Sequence, residues 1–325
     1  MKEEIIDGIK YRLDEETLTA EVIELKDALE LDETKLTADK LMKMMFNGYD
    51  GDIVIPETVV FNERTYRVMR IGEKAFNGCK SLKSIVIPDS VTCIGECAFG
   101  GCESLTSKVV IGEKTIGGIK YLLYCNRTAK VIQKSTRYKG DIIIPETVEF
   151  KGVTYRVTSI GAETFTWCEK LKSIAIPNSI TSIGDRAFYQ CTELTTITIP
   201  ESVTSIGKGA FENCKKLTSI IIPDNVKSVE DMTFSWCFAL TEIVIPNSVT
   251  SIGYEAFECC FALTEIEIPD SMETIGGQAF GGCKSLNSIT FQGTIAQWKD
   301  IELGDGWNDE IPTNIVHCTD GDVEI

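Results

Sequence analysis

The feature that most constrains this chain is a strict internal repeat. Prolines stand at Pro177, Pro200, Pro223, Pro246 and Pro269, each 23 positions after the last. Cysteines keep the same step through Cys168, Cys191, Cys214, Cys237, Cys260 and Cys283, and an earlier block repeats it with Cys79 and Cys102 beside Phe76 and Phe99. Self-similarity at such an interval marks a stack of small units, none of which buries its apolar face alone. The chain therefore reads as a solenoid before any single residue is weighed.

One period, read from Leu217, is LTSIIIPDNVKSVEDMTFSWCFA. The pattern Leu-x-x-Ile-x-Ile alternates as a strand does and turns Ile220 and Ile222 to one face, and Pro223, which has no N–H to donate, ends the strand. VTSIG at residues 203–207 has β-branched residues followed by a glycine suited to a reversal, which predicts a second short strand and a corner. The segment 210–214 brings the chain back, with Phe211 and Cys214 inward, as both residue types are commonly buried. Stacked coils pair strand on strand at about 4.8 Å per step.

Composition fits a folded protein: 43% of the 325 residues are hydrophobic and 25% charged. Of the 13 cysteines, eight hold the periodic inward position and read as buried thiols packing as small hydrophobes. Cys93, Cys97, Cys125, Cys259 and Cys318 lie off that row. Cys93 and Cys97 have zinc-like spacing but no matching second pair, and the chain has one histidine, so no metal and no cofactor are expected. The net charge of −17 sits at the ends: residues 1–40 carry 13 acids and 6 bases, and residues 297–325 carry 8 acids and 1 base. Polar ends that stop the stack from extending are the plainer reading of this, and binding of a basic partner is the alternative. Nucleic acid is excluded as a partner because no cluster of lysine and arginine is present to neutralise phosphates. Apolar runs are strand-length, short of the roughly 20 residues that span a bilayer, so no membrane insertion is expected. The start MKEEIIDGIK has no apolar core behind its lysine and does not read as a signal peptide. The expected location is extracellular or at the cell surface if a signal segment has been removed, and cytoplasmic otherwise.

A larger duplication overlies the repeat. GIKYRL and TAEVI near the start recur as GIKYLL and TAKVI from residue 118, and residues 49–72 recur as residues 138–161. The GIKY segments read as β-hairpins. Each copy opens with a coil of 32 residues (88 − 56 and 177 − 145), whose extra length predicts a hairpin bulging from the stack. LTADKLMKMMFNG at residues 36–48 reads as a short helix. After Cys102 the pattern lapses, and the tail from Gln292 leaves the period, with Trp298, Ile301, Trp307 and Ile311 folding over the last coil. The organisation is thus an N-terminal hairpin and helix cap (1–48), a first repeat block (49–111), a hairpin interruption (112–140), a main repeat block (141–291) and a C-terminal cap (292–325).

IPNSVTSIGYEAFECC (245–260), IPESVTSIGKGAFENC (199–214) and the tail FQGTIAQWKD with WNDEIPTNIVHCTDGDVEI resemble the bacterial BspA-type leucine-rich repeat proteins. The resemblance runs from about Gly51 onward. It implies a leucine-rich-repeat solenoid of the α/β class, mostly short β-strands with turns and 3-10 or short helical segments, curved as a right-handed superhelix. It also implies surface or secreted proteins, some of them adhesins, and hence binding without naming the partner. The expected partner is a protein, of the host matrix or a cell surface, bound by a monomer; the alternatives are an intracellular bacterial scaffold and a glycan-binding surface protein.

Candidate binding residues are sought where the fold does not dictate the side chain. Trp167, Tyr189, Trp236, Phe238 and Phe261 stand around the repeat cysteine where other coils have glycine, asparagine or lysine, with Phe238 and Phe261 at equivalent positions of adjacent coils. Large exposed aromatics supply contact area at small entropic cost; the plainer reading is that they cover one another. On the long strands, Ile221 and Val244 are expected side by side and exposed, flanked by Glu242, Glu265 and Glu267. No catalytic residue is assigned: the sole histidine, His317, lies in the tail, no nucleophile or phosphate-cradling motif is present, and the pair Glu265 and Glu267 has no cleft-forming insertion around it. Asp320 and Asp322 fall short of a calcium ligand set.

Overall fold

The computed structural model describes residues 2–7, 9–23, 49, 51–88, 90–95, 98–105, 110–124, 127–150 and 152–325. The helix expected over residues 36–48 lies outside them, as do Cys97, Cys125 and residues 106–109. The chain divides into two compact units, Met1–Lys114 with Leu122–Ala129 and Thr147–Arg156, and Thr115–Tyr121 with Lys130–Glu146 and Val157–Ile325.

In the first unit, β1 (Lys2–Ile6), β2 (Ile9–Asp14) and β3 (Thr19–Val22) form an antiparallel meander. The hairpin read from the GIKY segment is present, with β1 as a strand the sequence pattern did not announce. After β4 (Gly51–Val54), the long coil folds as a second hairpin, β5 (Thr58–Phe61) and β6 (Arg64–Ile71), in the register Val59↔Tyr66. Its turn residues Asn62 and Glu63 both take positive φ, 47° and 63°, the handedness that two-residue hairpin turns require. β3 pairs in parallel with β6, β4 with β7 (Leu82–Val86), and β6 with β8 (Cys93–Ile94). Tyr49 ties hairpin to coil. Its hydroxyl accepts the Lys10 N–H at 3.0 Å and donates to the Ile23 carbonyl at 3.2 Å, while its ring meets Phe76 at 4.5 Å.

The second copy follows the same plan with β9 (Val110–Ile116), β10 (Ile119–Tyr124), β11 (Thr128–Val131), β12 (Gly140–Ile143), and the hairpin of β13 (Thr147–Phe150) and β14 (Val153–Ile160), in the register Val148↔Tyr155. Within the second unit Tyr138 repeats the role of Tyr49: its hydroxyl joins the Lys120 N–H and the Ile132 carbonyl, both at 3.0 Å, and its ring lies 4.8 Å from Phe165.

The coils that follow alternate a longer strand with a two-residue one: β15 (Leu171–Ala175) and β16 (Ser182–Ile183), β17 (Thr196–Thr198) and β18 (Ser205–Ile206), β19 (Ser219–Ile221) and β20 (Ser228–Val229). The series continues with β21 (Glu242–Val244) and β22 (Ser251–Ile252), then β23 (Glu265–Ile268) and β24 (Thr274–Ile275), and ends on β25 (Ser288–Phe291). The longer strands stack in parallel, as do the shorter ones. Between them the phenylalanines form a column, Phe165, Phe188, Phe211, Phe234, Phe257 and Phe280, with consecutive ring centroids 5.1 to 5.5 Å apart and planes within 12°. All six are fully buried.

The return segment of each coil is a turn rather than a 3-10 helix, because its N–H groups serve two masters. Those of Thr164, Thr166 and Cys168 bond within their own coil to the third residue back, and those of Glu163, Phe165 and Trp167 bond to Asp185, Ala187 and Tyr189 of the next coil. Half of the donors that a helix would use are thus spent between coils. The glycine of each SIG corner also differs from its expected role: Gly184, Gly207, Gly253 and Gly276 lie where coils crowd, and a Cβ on Gly253 would sit 2.5 Å from the Asp231 nitrogen.

Among the described residues each ladder has an interruption, and each coincides with a break in the sequence pattern. The short ladder stops between β18 and β20, where Glu230 replaces the corner glycine. The long ladder stops between β21 and β23, the step at which two glutamates, Glu242 and Glu265, hold equivalent positions and like charges would be opposed.

The tail is one more coil and not merely a lid. The helix α1 (Ile295–Asp300), closed by a Thr294–Gln297 capping box, is inserted into it. β26 (Glu302–Leu303) then pairs with β24, and β27 (Ile315–Cys318) with β25. Trp307 takes the phenylalanine position, 6.1 Å from Phe280 and edge-on, with Trp298 and Ile301 buried beside the core and Ile311 half-exposed. β28 (Gly321–Glu324) folds back antiparallel on β27.

Replacing Phe234 by alanine removes one ring from the middle of the column and should cost about 3–5 kcal/mol, and Gly253→Ala about 1–3 kcal/mol by overpacking. Both are read from denaturant unfolding midpoints; a loss below about 1 kcal/mol for Phe234→Ala would contradict the stacked column.

Candidate interaction surface

The repeat cysteines fix the base of the outward-facing turns. Cys191, Cys214, Cys237, Cys260 and Cys283 are buried thiols, and each Sγ donates to the carbonyl of a phenylalanine 26 residues back at 3.1 to 3.3 Å. Burial pushes the thiols of Cys191, Cys214 and Cys260 well above the usual range, and that of Cys237 to about 12. They are neutral donors built into the stack.

The residue preceding each cysteine takes a left-handed backbone. Gly78, Gly101 and Gly282 occupy it with φ near 70°, while Trp167 and Trp236 occupy it at 59° and 62° and Gln190, Asn213 and Cys259 at 60°, 65° and 56°. A side chain with a Cβ pays roughly 1–2 kcal/mol there, so two tryptophans stand where glycine fits without strain. Both remain exposed, at 41% and 43%.

The turn aromatics gather in two groups. Trp236 meets Phe238 at 5.8 Å, and Phe238 stacks on Phe261 at 4.9 Å with planes 4° apart. The Trp236 Nε1–H donates to Glu258 Oε2 at 3.0 Å, and Ser235 Oγ donates to the same oxygen at 3.1 Å. Lys215 Nζ lies 5.6 Å from the Phe238 ring and Lys284 Nζ 5.9 Å from Phe261. Residues 215, 238, 261 and 284 are successive members of one repeat column, so the stacked rings are bracketed by cations. In the other group Trp167 meets Tyr189 edge-on at 5.7 Å, with the Arg186 guanidinium 5.6 Å from the tyrosine ring. Among the described residues no ring contact joins the two groups. Mutual cover and exposure coexist: Phe238 and Tyr189 are half-buried, whereas Trp167, Trp236 and Phe261 are exposed.

On the long-strand face, Ile221 and Val244 are register partners and exposed at 64% and 47%. Glu242 is opposite Ser219, Glu265 opposite Ser288, and Glu267, opposite Thr290, accepts from Gln292 Nε2 at 2.7 Å. Val244 and Glu267 border a cleft of about 400 Å³ at the interruption of the long ladder. The sequence reading missed Lys215, Lys284, Glu258 and the 46% exposed Tyr254; aligning the repeat columns supplies the first three. His317 pairs through Nδ1 with Asp322 at 2.9 Å on the exposed final hairpin, and Asp320 accepts the Ile295 N–H at the start of α1. The two aspartates are thus engaged separately.

Six copies of the BspA-type leucine-rich repeat region are matched over residues 57–139, 158–287 and 250–301. The chain belongs to the BspA-type leucine-rich repeat family. A leucine-rich repeat protein from Eubacterium ventriosum shares its fold, with 22% identity, a TM-score of 0.51 and 98% of each chain covered. A leucine-rich cell surface protein from Faecalibacterium prausnitzii is 18% identical, with a TM-score of 0.43, 93% of this chain and 98% of that one covered. No curated protein matches. The BspA-type repeats suggest a protein-binding module, and among the described residues no helix is long and apolar enough to cross a membrane.

Raised thiol pKa values favour the neutral form in the folded state. The stability they contribute is full below the ordinary thiol value of 9.0 and is lost as pH rises through 9 towards about 12. The urea midpoint should fall over that window, and less steeply in Cys237→Ala. Equal slopes would contradict a buried neutral thiol.

Proposed function

We propose that this protein is a non-catalytic, adhesin-like binding module that captures a host-matrix or cell-surface protein, as a monomer working outside the cell. The surface is the aromatic group of Trp236, Phe238 and Phe261, with Ile221, Val244, Glu242, Glu265 and Glu267 offering a second contact face and Trp167 with Tyr189 a further one. The observation that supports this reading is the exposed Trp236, packed against Phe238 and tied through its Nε1–H to Glu258. The stacked rings are held rigid before any partner arrives, which lowers the ordering cost of association.

The test is capture of purified host-matrix proteins by the immobilised full chain, compared with the Trp236→Ala/Phe238→Ala double variant. The reading expects a matrix protein to be retained and its affinity to fall by about 2 kcal/mol or more in the variant, with the circular dichroism spectrum unchanged. Undiminished capture by a folded double variant overturns it. So does capture confined to proteins of a bacterial lysate, which would favour an intracellular scaffold.

A further inference from the structure

The short-strand ladder carries a surface of different chemistry. Along β20, β22, β24 and β26 runs a shallow groove of about 390 Å³. Gly253, Gly276 and Gly304 line it at points where a Cβ would strike the backbone of the preceding coil, and the exposed Leu303 lines its β26 end. One wall is the register-aligned row Ser251, Thr274 and Glu302. Among the described residues these two hydroxyls and this carboxylate make no side-chain hydrogen bond. The other wall is Tyr254, in a column whose neighbouring coils have Asp231 and Gly277. A Cβ on Gly277 would meet the ring at 3.6 Å, so the tyrosine extends over a coil that offers no side chain there.

No lysine or arginine lines the groove. Asp231 is engaged by Lys208 at 2.7 Å, and Glu230 accepts from Ser228 at 2.6 Å, which leaves Glu302 as an open acceptor. A peptide held by strand pairing needs a free main-chain edge, which β22 and β24, each paired on both sides, do not offer over the middle of the groove; the free edges are at its two ends, on β20 and β26. The groove presents one aromatic face, two hydroxyls one ladder step apart and, at the next step, a negative charge.

We propose that this groove binds a linear glycan of neutral or amino-bearing hexoses, laid along the ladder with one sugar ring on Tyr254. A pyranose has an apolar C–H face and a rim of hydroxyls; the first matches the tyrosine ring and the second the Ser251, Thr274 and Glu302 row. The carboxylate favours an amino group and repels sulfated or uronic polymers. The site shares no residue with the turn aromatics.

Calorimetric titration of the full chain with short cello-oligosaccharides, chito-oligosaccharides and their deacetylated forms tests this, with a sulfated oligosaccharide and oligolysine as contrasts. Saturable binding of a neutral or amino-bearing oligomer is expected, weakened roughly tenfold by Tyr254→Ala and retained in Tyr254→Phe and in the Trp236→Ala/Phe238→Ala variant. Because Tyr254 is exposed, its alanine variant should unfold at the native midpoint. Failure of every neutral and amino-bearing oligomer to bind, equal affinity of Tyr254→Ala, or binding of oligolysine alone overturns the proposal.

Discussion

The spacing between coils governs this molecule. Parallel strands fix neighbouring coils at about 4.8 Å, and every other feature must fit that interval. The phenylalanine rings meet it by lying nearly parallel at 5.1 to 5.5 Å. The corner glycines meet it by having no Cβ, and the cysteines by donating S–H across the gap. Backbone, aromatic ring and thiol are three solutions to one distance. No single coil is stable through its own contacts, so stability is shared along each unit.

The same constraint explains the ends. A stack of identical coils would leave an exposed aromatic face at each terminus. In each unit a tyrosine, Tyr49 or Tyr138, covers the first phenylalanine and uses its hydroxyl to clasp the adjoining hairpin. At the far end of the second unit Trp307 meets Phe280 edge-on, and β28 reverses direction against β27. Tail acids such as Asp309 and Glu310 are exposed.

Much of this was legible in the residues. The 23-residue step fixed strand, corner and inward positions, because stacking makes each position equivalent in every coil. Equivalence also allowed the contact of Phe238 with Phe261 and the pairing of Ile221 with Val244 to be anticipated. Other features needed coordinates. Whether a glycine serves a reversal or a close approach depends on the neighbouring coil, which lies 23 residues away and is invisible to local pattern. The alternation of bonds in the return segment is likewise an inter-coil property, which local pattern does not show. The tail escaped the period because α1 lengthens its coil, and the strand β1 has too little apolar alternation to announce itself. The cations beside the stacked rings were missed although they share a repeat column with Phe238 and Phe261, because lysine was treated as the background residue at that position.

Function follows from what stacking leaves free. Turn side chains on a rigid, repeating frame are presented in a fixed array, and the exposed tryptophans there are the residues whose placement the core does not demand. The four tryptophans therefore provide the most direct test, by hydroxyl-radical footprinting of the native chain with mass-spectrometric readout. The structure predicts rapid oxidation of Trp167 and Trp236 and protection of Trp298 and Trp307. Equal oxidation of all four, or protection of the first pair, would contradict an outward aromatic array carried on a buried column.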